Sequence, residues 1–317
     1  MASGFSYFTG IDVSKDKVDI FSSEKSSHLT VRNSKKQIRE ALYHFDREHT
    51  LIVLENTGGH ENVCIDTLQK IGYKIHRANN NRVKSFIRYR GIKAKTDKID
   101  AKALADYGEF TYKNGKQELV VNKEVSEVQK KVKETSLYID NLKRIRGAMK
   151  NRLKSPTCHE TEESVKRVID VLNQEIEKLE NETDKTLAQD KDLSKRFELL
   201  TWYKGVGKTT ARELIAFLPE IGSVSKQAIS ALAGLAPYAK DSGKMRGHRS
   251  TRGQGRPILR RIMFMAALST VRYNKNLSNF YEKKIKEGKP KMIAMTACMR
   301  KMLVQLNAIC KKGVAEF

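Results

Sequence analysis

Four acidic residues stand where the predicted elements would bring carboxylates together. Asp12 ends a stretch that predicts a first β-strand, and Glu55 ends a short apolar run that predicts a buried strand. Asp97 and Asp100 stand three residues apart at a predicted helix start, and therefore share one helix face. Converging carboxylates repel one another unless cations neutralise them, and hard oxygen ligands suit Mg²⁺ or Mn²⁺. Such ions could stabilise the attacking and leaving oxygens of a phosphodiester.

Each of these acids also has a plainer interpretation. A single aspartate after a strand is usually a turn residue, and Asp97 alone would be a helix cap. Three further acids, Asp16, Asp19 and Asp106, are expected to be solvated. The metal-site hypothesis depends on the joint placement, in which two strand ends are followed by a helix that carries two aspartates.

A basic segment late in the chain carries a candidate nucleophile. Residues 240–261 hold eight Lys or Arg residues and one acid, interspersed with glycines that let the backbone approach phosphates. Ser242 lies among these cations, which could stabilise charge as its hydroxyl attacks phosphorus. On composition alone Ser242 could equally bond a phosphate or cap a turn. The expected nucleic-acid ligands here are Lys244, Arg246, Arg249, Arg252, Arg256, Arg260 and Arg261.

A glycine turn precedes that segment. Gly205-Val-Gly207-Lys208 lacks the earlier glycine of a nucleotide-binding P-loop, because Trp202 stands in its place. A helix-hairpin-helix, whose turn would aim backbone N–H groups at a phosphate, fits the pattern better. A simple interhelical turn is the alternative.

The charge balance favours a polyanionic partner. The chain of 317 residues has 61 basic and 37 acidic residues, a net charge of +24. Residues 201–317 hold 23 of the basic but only 6 of the acidic residues, although a merely solvated basic surface would show the same excess. No apolar run approaches the roughly 18 residues of a membrane span, and no signal peptide is indicated. The four cysteines form no C-x-x-C pair, which predicts a reduced, cytoplasmic protein without zinc or disulfides.

Periodicity predicts the elements that position these residues. The order β-β-β-α-β-α-β predicts an α/β domain over residues 1–117, with Tyr7, Phe8, Phe86 and Tyr89 in its core or at its rim rather than as base-stacking platforms. Residues 118–199 predict an antiparallel helical hairpin or coiled-coil arm that turns near 155–161 and serves as a spacer or a dimerisation arm. Residues 200–317 predict an all-α domain, with helices over 257–272 and 291–311.

Several motifs together resemble the DEDD transposases of insertion-sequence family one-ten, which include the Piv-type DNA invertases. In the first domain they are Gly10-Ile-Asp12-Val-Ser-Lys15, Leu54-Glu55-Asn-Thr-Gly58 and Lys95-Thr-Asp97-Lys-Ile-Asp100-Ala-Lys-Ala-Leu104. In the last domain they are Gly234-Leu-Ala-Pro237, Ser242-Gly243-Lys244 and Leu259-Arg260-Arg261. The resemblance covers nearly the whole chain, with the motifs in the family's order.

The resemblance implies a RuvC-like, ribonuclease-H-type first domain whose metal-binding tetrad is Asp12, Glu55, Asp97 and Asp100. It implies that Ser242 is the nucleophile and forms a covalent phosphoserine link to DNA. A structured non-coding bridge RNA would choose the target and donor DNA. The family works as multimers, here a dimer or tetramer, which would combine the acids of one protomer with the serine of another.

One departure from the family pattern leaves the nucleophile open. The family often has a Ser-Lys-x-Gly-Asn stretch, where this chain has Ser250-Thr-Arg-Gly-Gln254, so Ser250 is a second candidate. The sequence thus predicts an RNA-guided DNA recombinase or transposase. The alternatives are a RuvC-like junction endonuclease that uses metal-activated water and a non-catalytic nucleic-acid scaffold.

Overall fold

A computed structural model describes residues 4–92, 96–114, 126–155, 158–237 and 255–313. The chain divides into two compact units, Met1–Glu124 and Val125–Phe317. The predicted arm therefore shares a unit with the C-terminal helices, and the three-part division of the sequence stays a prediction. Within the described ranges, every helix is too short or too polar to cross a membrane.

The first unit is built on a five-stranded mixed sheet with the strand order β3-β2-β1-β4-β5. The hairpin strands β1, β2 and β3 pair antiparallel, whereas β1 pairs with β4, and β4 with β5, in parallel. The predicted α/β class is confirmed, and the arrangement fits a RuvC-like domain. The strands are β1 Tyr7–Val13, β2 Lys17–Ser22, β3 Ser27–Arg32, β4 Thr50–Glu55 and β5 Lys74–Ala78.

Helices cover both faces of this sheet. One face packs against α1, Lys35–Leu42, and α2, Asn62–Lys70; the other packs against α3, Asn80–Tyr89, and α4, Asp97–Lys113. Alternate residues of β4 divide between the two cores, because successive side chains of a strand point to opposite faces. Leu51 and Val53 face α4, which places Glu55 on that side as well.

Helix α1 is shorter than the sequence predicts, since helical periodicity runs from Ser34 to Glu48. It ends at Leu42, whose carbonyl accepts a 2.6 Å hydrogen bond from the buried hydroxyl of Tyr73. That side chain also reaches the Phe45 carbonyl at 3.2 Å, so a tertiary contact satisfies backbone groups that a longer helix would use.

The described part of the second unit is helical. Helix α5 packs antiparallel on α6, as Lys143 pairs with Glu180 at 2.7 Å and Arg146 with the more N-terminal Asn173 at 2.8 Å. A new helix begins after Asp190, whose carboxylate accepts hydrogen bonds from the next helical turn. The helices are α5 Glu127–Arg152, α6 His159–Ala188, α7 Lys191–Trp202, α8 Lys208–Phe217, α9 Lys226–Leu232, α10 Pro257–Tyr273, α11 Lys275–Lys286 and α12 Lys291–Lys312.

Helices α7 to α12 share one buried apolar core. Leu200 of α7, Leu214 of α8 and Met263 of α10 meet Leu303 and Leu306 of α12 in it. Two helices of the chain, α3 and α11, were not expected from the sequence. Each buries few side chains, two in α3 and one in α11, so few core residues mark either helix in the sequence.

Candidate active site

The acidic site depends on how closely α4 approaches β1. A β-carbon at Gly10 would lie 1.9 Å from the carbonyl oxygen of Ala101 and 2.5 Å from the backbone nitrogen of Ala105. Only glycine permits that contact, which brings the first turn of α4 to the C-terminal end of β1. Thr96 caps this turn by accepting a 3.3 Å hydrogen bond from the Ile99 N–H.

Asp12 and Glu55 occupy equivalent places on neighbouring parallel strands. The register of β1 and β4 pairs Ile11 with Leu54, and each acid follows immediately after its paired residue. Adjacent strands lie about 4.8 Å apart. The two acids therefore stand side by side at one edge of the sheet, as their strand-end positions predicted.

The aspartates of α4 act electrostatically on Asp12. Burial raises the pKa of the Asp12 carboxyl above its usual value, and the negative charges of Asp100, Asp97 and Asp19 raise it further. These charges must be near one another to have that effect. Asp97 and Asp100 of α4 are therefore close enough to Asp12 for their charges to act on it, in a loose acidic cluster with Glu55 at the end of the next strand.

Asp19 joins this cluster, and the expectation that it is solvated was wrong. It pairs directly across from Asp12 in the β1–β2 hairpin and is only 4% exposed. Its Oδ1 accepts a 2.6 Å hydrogen bond from the Thr30 hydroxyl. Val18 and Ile20 of β2 alternate into the opposite core, but no local pattern indicated that α4 would cover the other face.

A lysine supplies internal positive charge to the acids. Lys17 Nζ lies 2.5 Å from Asp97 Oδ2 and 3.5 Å from Asp19 Oδ2. The hydrogen bond to Asp97, followed by the charge of Asp19, raises the pKa of Lys17. Because Lys17 and Asp97 are separated by 80 residues, no local pattern could have indicated this pair.

The donor set fits a hard divalent cation in its chemistry. The neighbouring carboxylates repel one another and help to raise the pKa of Asp12. A bound cation would relieve that repulsion. Among the described residues, however, no three His, Cys, Asp or Glu side chains are already arranged as a metal-binding cluster. Side-chain rearrangement, including release of Asp97 by Lys17, would accompany cation binding.

A buried ion pair orders the loop that follows Glu55. Glu61 is fully buried, and its carboxylate is bound by the guanidinium of Arg77 on β5. Arg77 also donates a 3.0 Å hydrogen bond to Asn56 Oδ1. Glu61 Oε2 additionally accepts hydrogen bonds from the loop itself: Thr57 N at 3.2 Å, Thr57 Oγ1 at 2.8 Å and Gly59 N at 2.8 Å. No motif in the sequence indicated this pair.

Much of the predicted basic segment lies outside the described residues. This applies to both candidate nucleophiles, Ser242 and Ser250, and to four of the predicted nucleic-acid ligands, Lys244, Arg246, Arg249 and Arg252. Their roles stay predictions.

Residues 255–261, the end of that segment, are described, and their first two residues make close contacts with the fold. A β-carbon at Gly255 would lie 2.1 Å from the backbone nitrogen of Gly234, so the chain returns against the end of α9. Arg256 N–H donates to the Leu232 carbonyl at 2.8 Å. The Arg256 guanidinium grips both carboxylate oxygens of Glu220, at 2.9 and 2.5 Å, and donates to the Phe217 carbonyl at 2.8 Å.

The other predicted nucleic-acid ligands differ in their contacts within the protein and in their exposure to solvent. Arg261 pairs with Asp140 of α5 at 2.8 Å, and Arg260 is half-buried on α10. Gly205 has a φ of +100° and packs against α10, where a β-carbon would lie 2.5 Å from the Thr270 hydroxyl oxygen. Gly207 caps α8 with open space around it, and Lys208, the first residue of α8, is exposed.

Two family models that match this chain describe IS110-type transposases. A family model described as "Transposase", for the DEDD transposases of IS110 type, matches residues 9–158, and a second, "Transposase IS116/IS110/IS902 family", matches residues 197–282. The pilin gene-inverting proteins of Moraxella lacunata and Moraxella bovis are each 24% identical over 322 residues. The match covers 96% of this chain and 96% of each relative.

Proposed function

Because the chain belongs to the IS110 family of transposases, whose members cut and rejoin DNA, we propose that it is a DNA recombinase with a covalent phosphoserine intermediate. The observation that carries the proposal is the meeting of Asp12 and Glu55 at one sheet edge, with Asp97 and Asp100 above them. A scaffold that only bound phosphates would gain nothing from acids gathered at such a place, since carboxylates repel DNA.

The four acids would hold Mg²⁺ or Mn²⁺. When bound, the ion would supply positive charge to the scissile phosphate. The residues of the chain prepare that site: Gly10 sets the distance of α4 from β1, and Lys17 neutralises Asp97 when no cation is bound. Asp19, held by Thr30, keeps a further negative charge facing Asp12.

Ser242 would make the bond to DNA. Its hydroxyl oxygen attacks phosphorus, loses its proton and displaces the sugar oxygen of the neighbouring nucleotide, leaving a phosphoserine and a free sugar hydroxyl. Rejoining reverses these events, as a sugar hydroxyl attacks the phosphoserine and releases the serine. The cations near it in the sequence, Lys244, Arg246, Arg249 and Arg252, would stabilise the negative charge that develops on the phosphate oxygens. Ser250 is the alternative nucleophile.

The proposed partners are target and donor DNA, a structured guide RNA and further copies of the chain. The net charge of +24, concentrated in the last third of the sequence, supports a nucleic-acid partner. The turn at Gly205, Gly207 and Lys208 would contact a DNA backbone, and the α5–α6 arm would serve assembly. The RNA is tested by sequencing the nucleic acid that copurifies, which should contain one discrete small species.

The nucleophile is tested by trapping the intermediate. The protein is expressed with a plasmid that carries its own element and flanking DNA, and cell lysates are probed for protein–DNA adducts that resist SDS. Adducts and recombinant junctions should disappear in Ser242→Ala and persist in Ser250→Ala. Asp12→Asn should abolish both adducts and junctions.

Each alternative gives a different result. Cleavage without an adduct, insensitive to Ser242→Ala, would identify a junction endonuclease that uses water. Binding without cleavage under any divalent cation, with a steep dependence on salt, would identify a scaffold. Loss of adducts in Ser250→Ala, but not in Ser242→Ala, would identify Ser250 as the nucleophile.

A further inference from the structure

Helix α3 presents a strongly basic surface to solvent. Its buried side consists of Val83 and Phe86, which pack in the core of the first unit. The sequence from residue 79 to residue 92 contains no acid. Its cations, all on exposed residues, are Arg82, Lys84, Arg88 and Arg90. Arg90 shares its charge with Asp106 at 3.5 Å, which leaves the surface basic overall.

Two aromatic rings stand within this surface. Tyr89 is 78% exposed and Phe110 of α4 is 47% exposed, with ring centroids 6.4 Å apart. Phe110 rests on the buried ring of Phe86, at a centroid distance of 5.3 Å. Of the aromatic residues predicted to be core or rim, Phe86 is buried and Tyr89 is exposed. Tyr89 and Phe110 form an exposed pair above the Phe86 ring, which we call the Tyr89–Phe110 platform.

The platform lies on the same face of the sheet as the acids. Helix α4 begins at the acidic site with Asp97 and reaches Phe110 thirteen residues later, about 20 Å along the helix axis. Helix α3 starts at the same sheet edge, where the Asn80 side chain donates a 3.1 Å hydrogen bond to the carbonyl of Asn56, the residue after Glu55. The basic surface therefore leads from the acidic edge to the platform.

We propose that this surface binds an unpaired DNA strand, with bases stacked on Tyr89 and Phe110 and phosphates held by Arg82, Lys84 and Arg88. Aromatic faces accept any base, and flanking cations track the backbone, in known single-strand grooves of about 4–16 nucleotides. Duplex bases are stacked on one another and cannot use such a platform. The proposal rests on the proposed function, in that a strand opened beside the scissile phosphate is its occupant.

The test measures binding of a labelled single-stranded oligothymidylate of about 12 nucleotides, a length within that range, to the full chain. Tyr89→Ala should weaken binding by roughly five- to a hundredfold, whereas Tyr89→Phe should bind like the parent because it keeps the ring. Arg88→Gln should lower the slope of log affinity against log salt by about 0.7. Unchanged thermal unfolding would show that the exposed substitutions leave the fold intact.

Tyr43→Ala is the matched control. Tyr43 is also an exposed tyrosine, at 58%, beside the cation of Arg47, but it follows α1 on the opposite face of the sheet. Its removal should leave binding unchanged. Equal loss in Tyr43→Ala, or no loss in Tyr89→Ala, would overturn the proposal, as would a loss confined to an RNA oligonucleotide of the same length.

This result is separable from the proposed function. Asp12→Asn and Ser242→Ala should bind the oligothymidylate as the parent does, because stacking needs neither acid nor nucleophile. If oligothymidylate binding depends on Tyr89 but the chain forms no adduct, the recombinase chemistry is wrong and the single-strand surface stands. If adducts form but oligothymidylate binding does not depend on Tyr89, the single-strand surface is wrong and the recombinase proposal stands.

Discussion

The carbonyl of Ala101 lies directly over Gly10, so close that a β-carbon on the glycine would be 1.9 Å from its oxygen. This contact joins the backbone of α4 to the central strand of the sheet. Asp12 follows two residues after Gly10, and Asp100 immediately precedes Ala101. The spacing between strand and helix therefore sets the spacing between the acids.

Gly10→Ala should push α4 away from β1. Overpacking commonly costs about 1–3 kcal/mol, and we expect about 3 kcal/mol or more here because backbone rather than a flexible side chain must move. DNA cleavage should fall at least tenfold even at temperatures where the variant is folded, since the α4 acids move with the helix. Urea unfolding and adduct formation measure the two effects.

Gly147→Ala provides the matched control for that substitution. Gly147 lies within α5, in the other unit, and open space surrounds the position of its missing β-carbon. Alanine should raise the free energy of unfolding by roughly 0.5–1 kcal/mol through helix propensity. Gly10→Ala with parental stability and cleavage would show that α4 is not held by this contact.

The Glu61–Arg77 pair predicts a positioning effect on the loop after Glu55. Glu61→Ala would leave Arg77 and the loop N–H groups without their acceptor, a loss of about 3–5 kcal/mol for a buried pair. The less disruptive Glu61→Gln should lower kcat more than it raises KM, because the displaced loop carries Asn56 next to Glu55. Glu48→Ala, at an exposed acid of the same unit, should change stability by less than about 0.5 kcal/mol.

The sequence predicted the acids that end strands, but not the residues that surround them. Asp12 and Glu55 could be found because apolar runs mark β1 and β4, and Thr96 marks the start of α4 as a capping residue. Asp19 could not be recognised as buried, since its cover is a helix some 80 residues later in the chain. Helix α3 was missed because its surface is largely polar and basic, and only Val83, Phe86 and Ile87 mark its apolar side.

Substitution of Arg256 should have different effects depending on whether its side chain holds the fold together or binds DNA. Its guanidinium is committed to Glu220 and the Phe217 carbonyl, so Arg256→Met should lower the free energy of unfolding by about 1.5–3 kcal/mol. The salt slope of duplex DNA binding should stay unchanged. Lys208→Gln, at an exposed cation, should instead lower that slope by about 0.9 and leave stability unaffected. A reduced slope in Arg256→Met would make Arg256 a phosphate contact.

Glu180 and Glu213 should contribute to stability with opposite dependences on pH. Burial acts to raise the pKa of Glu180, but the Lys143 hydrogen bond and the Arg212 charge outweigh it and hold the pKa below the usual 4.5. Its contribution is therefore complete above pH 4.5 and is lost as the pH falls through the lowered value. Burial instead raises the pKa of Glu213, whose ionisation lowers stability as the pH rises above 4.5.

Urea unfolding at pH 4 and pH 7 separates the two glutamates. Glu180→Gln should be destabilised by about 1–3 kcal/mol at pH 7 and by less at pH 4. Glu213→Gln should gain stability relative to the parent between pH 4 and pH 7. Parallel pH profiles for parent and both variants would contradict these assignments.

The four cysteines should differ sharply in reactivity with iodoacetamide at pH 8. Cys158 is exposed at the start of α6, and its contact with the Thr161 hydroxyl at 3.0 Å lowers the pKa of its thiol. Burial raises the pKa of Cys64 to about 12, and that of Cys298 and Cys310 each to about 11. Since the thiolate is the nucleophile, Cys158 should be alkylated first and alone in the folded protein. Mass spectrometry of timed samples measures the order, and Cys158→Ser should take up label only in urea; early labelling of Cys64 would show that the α2 side of the sheet opens.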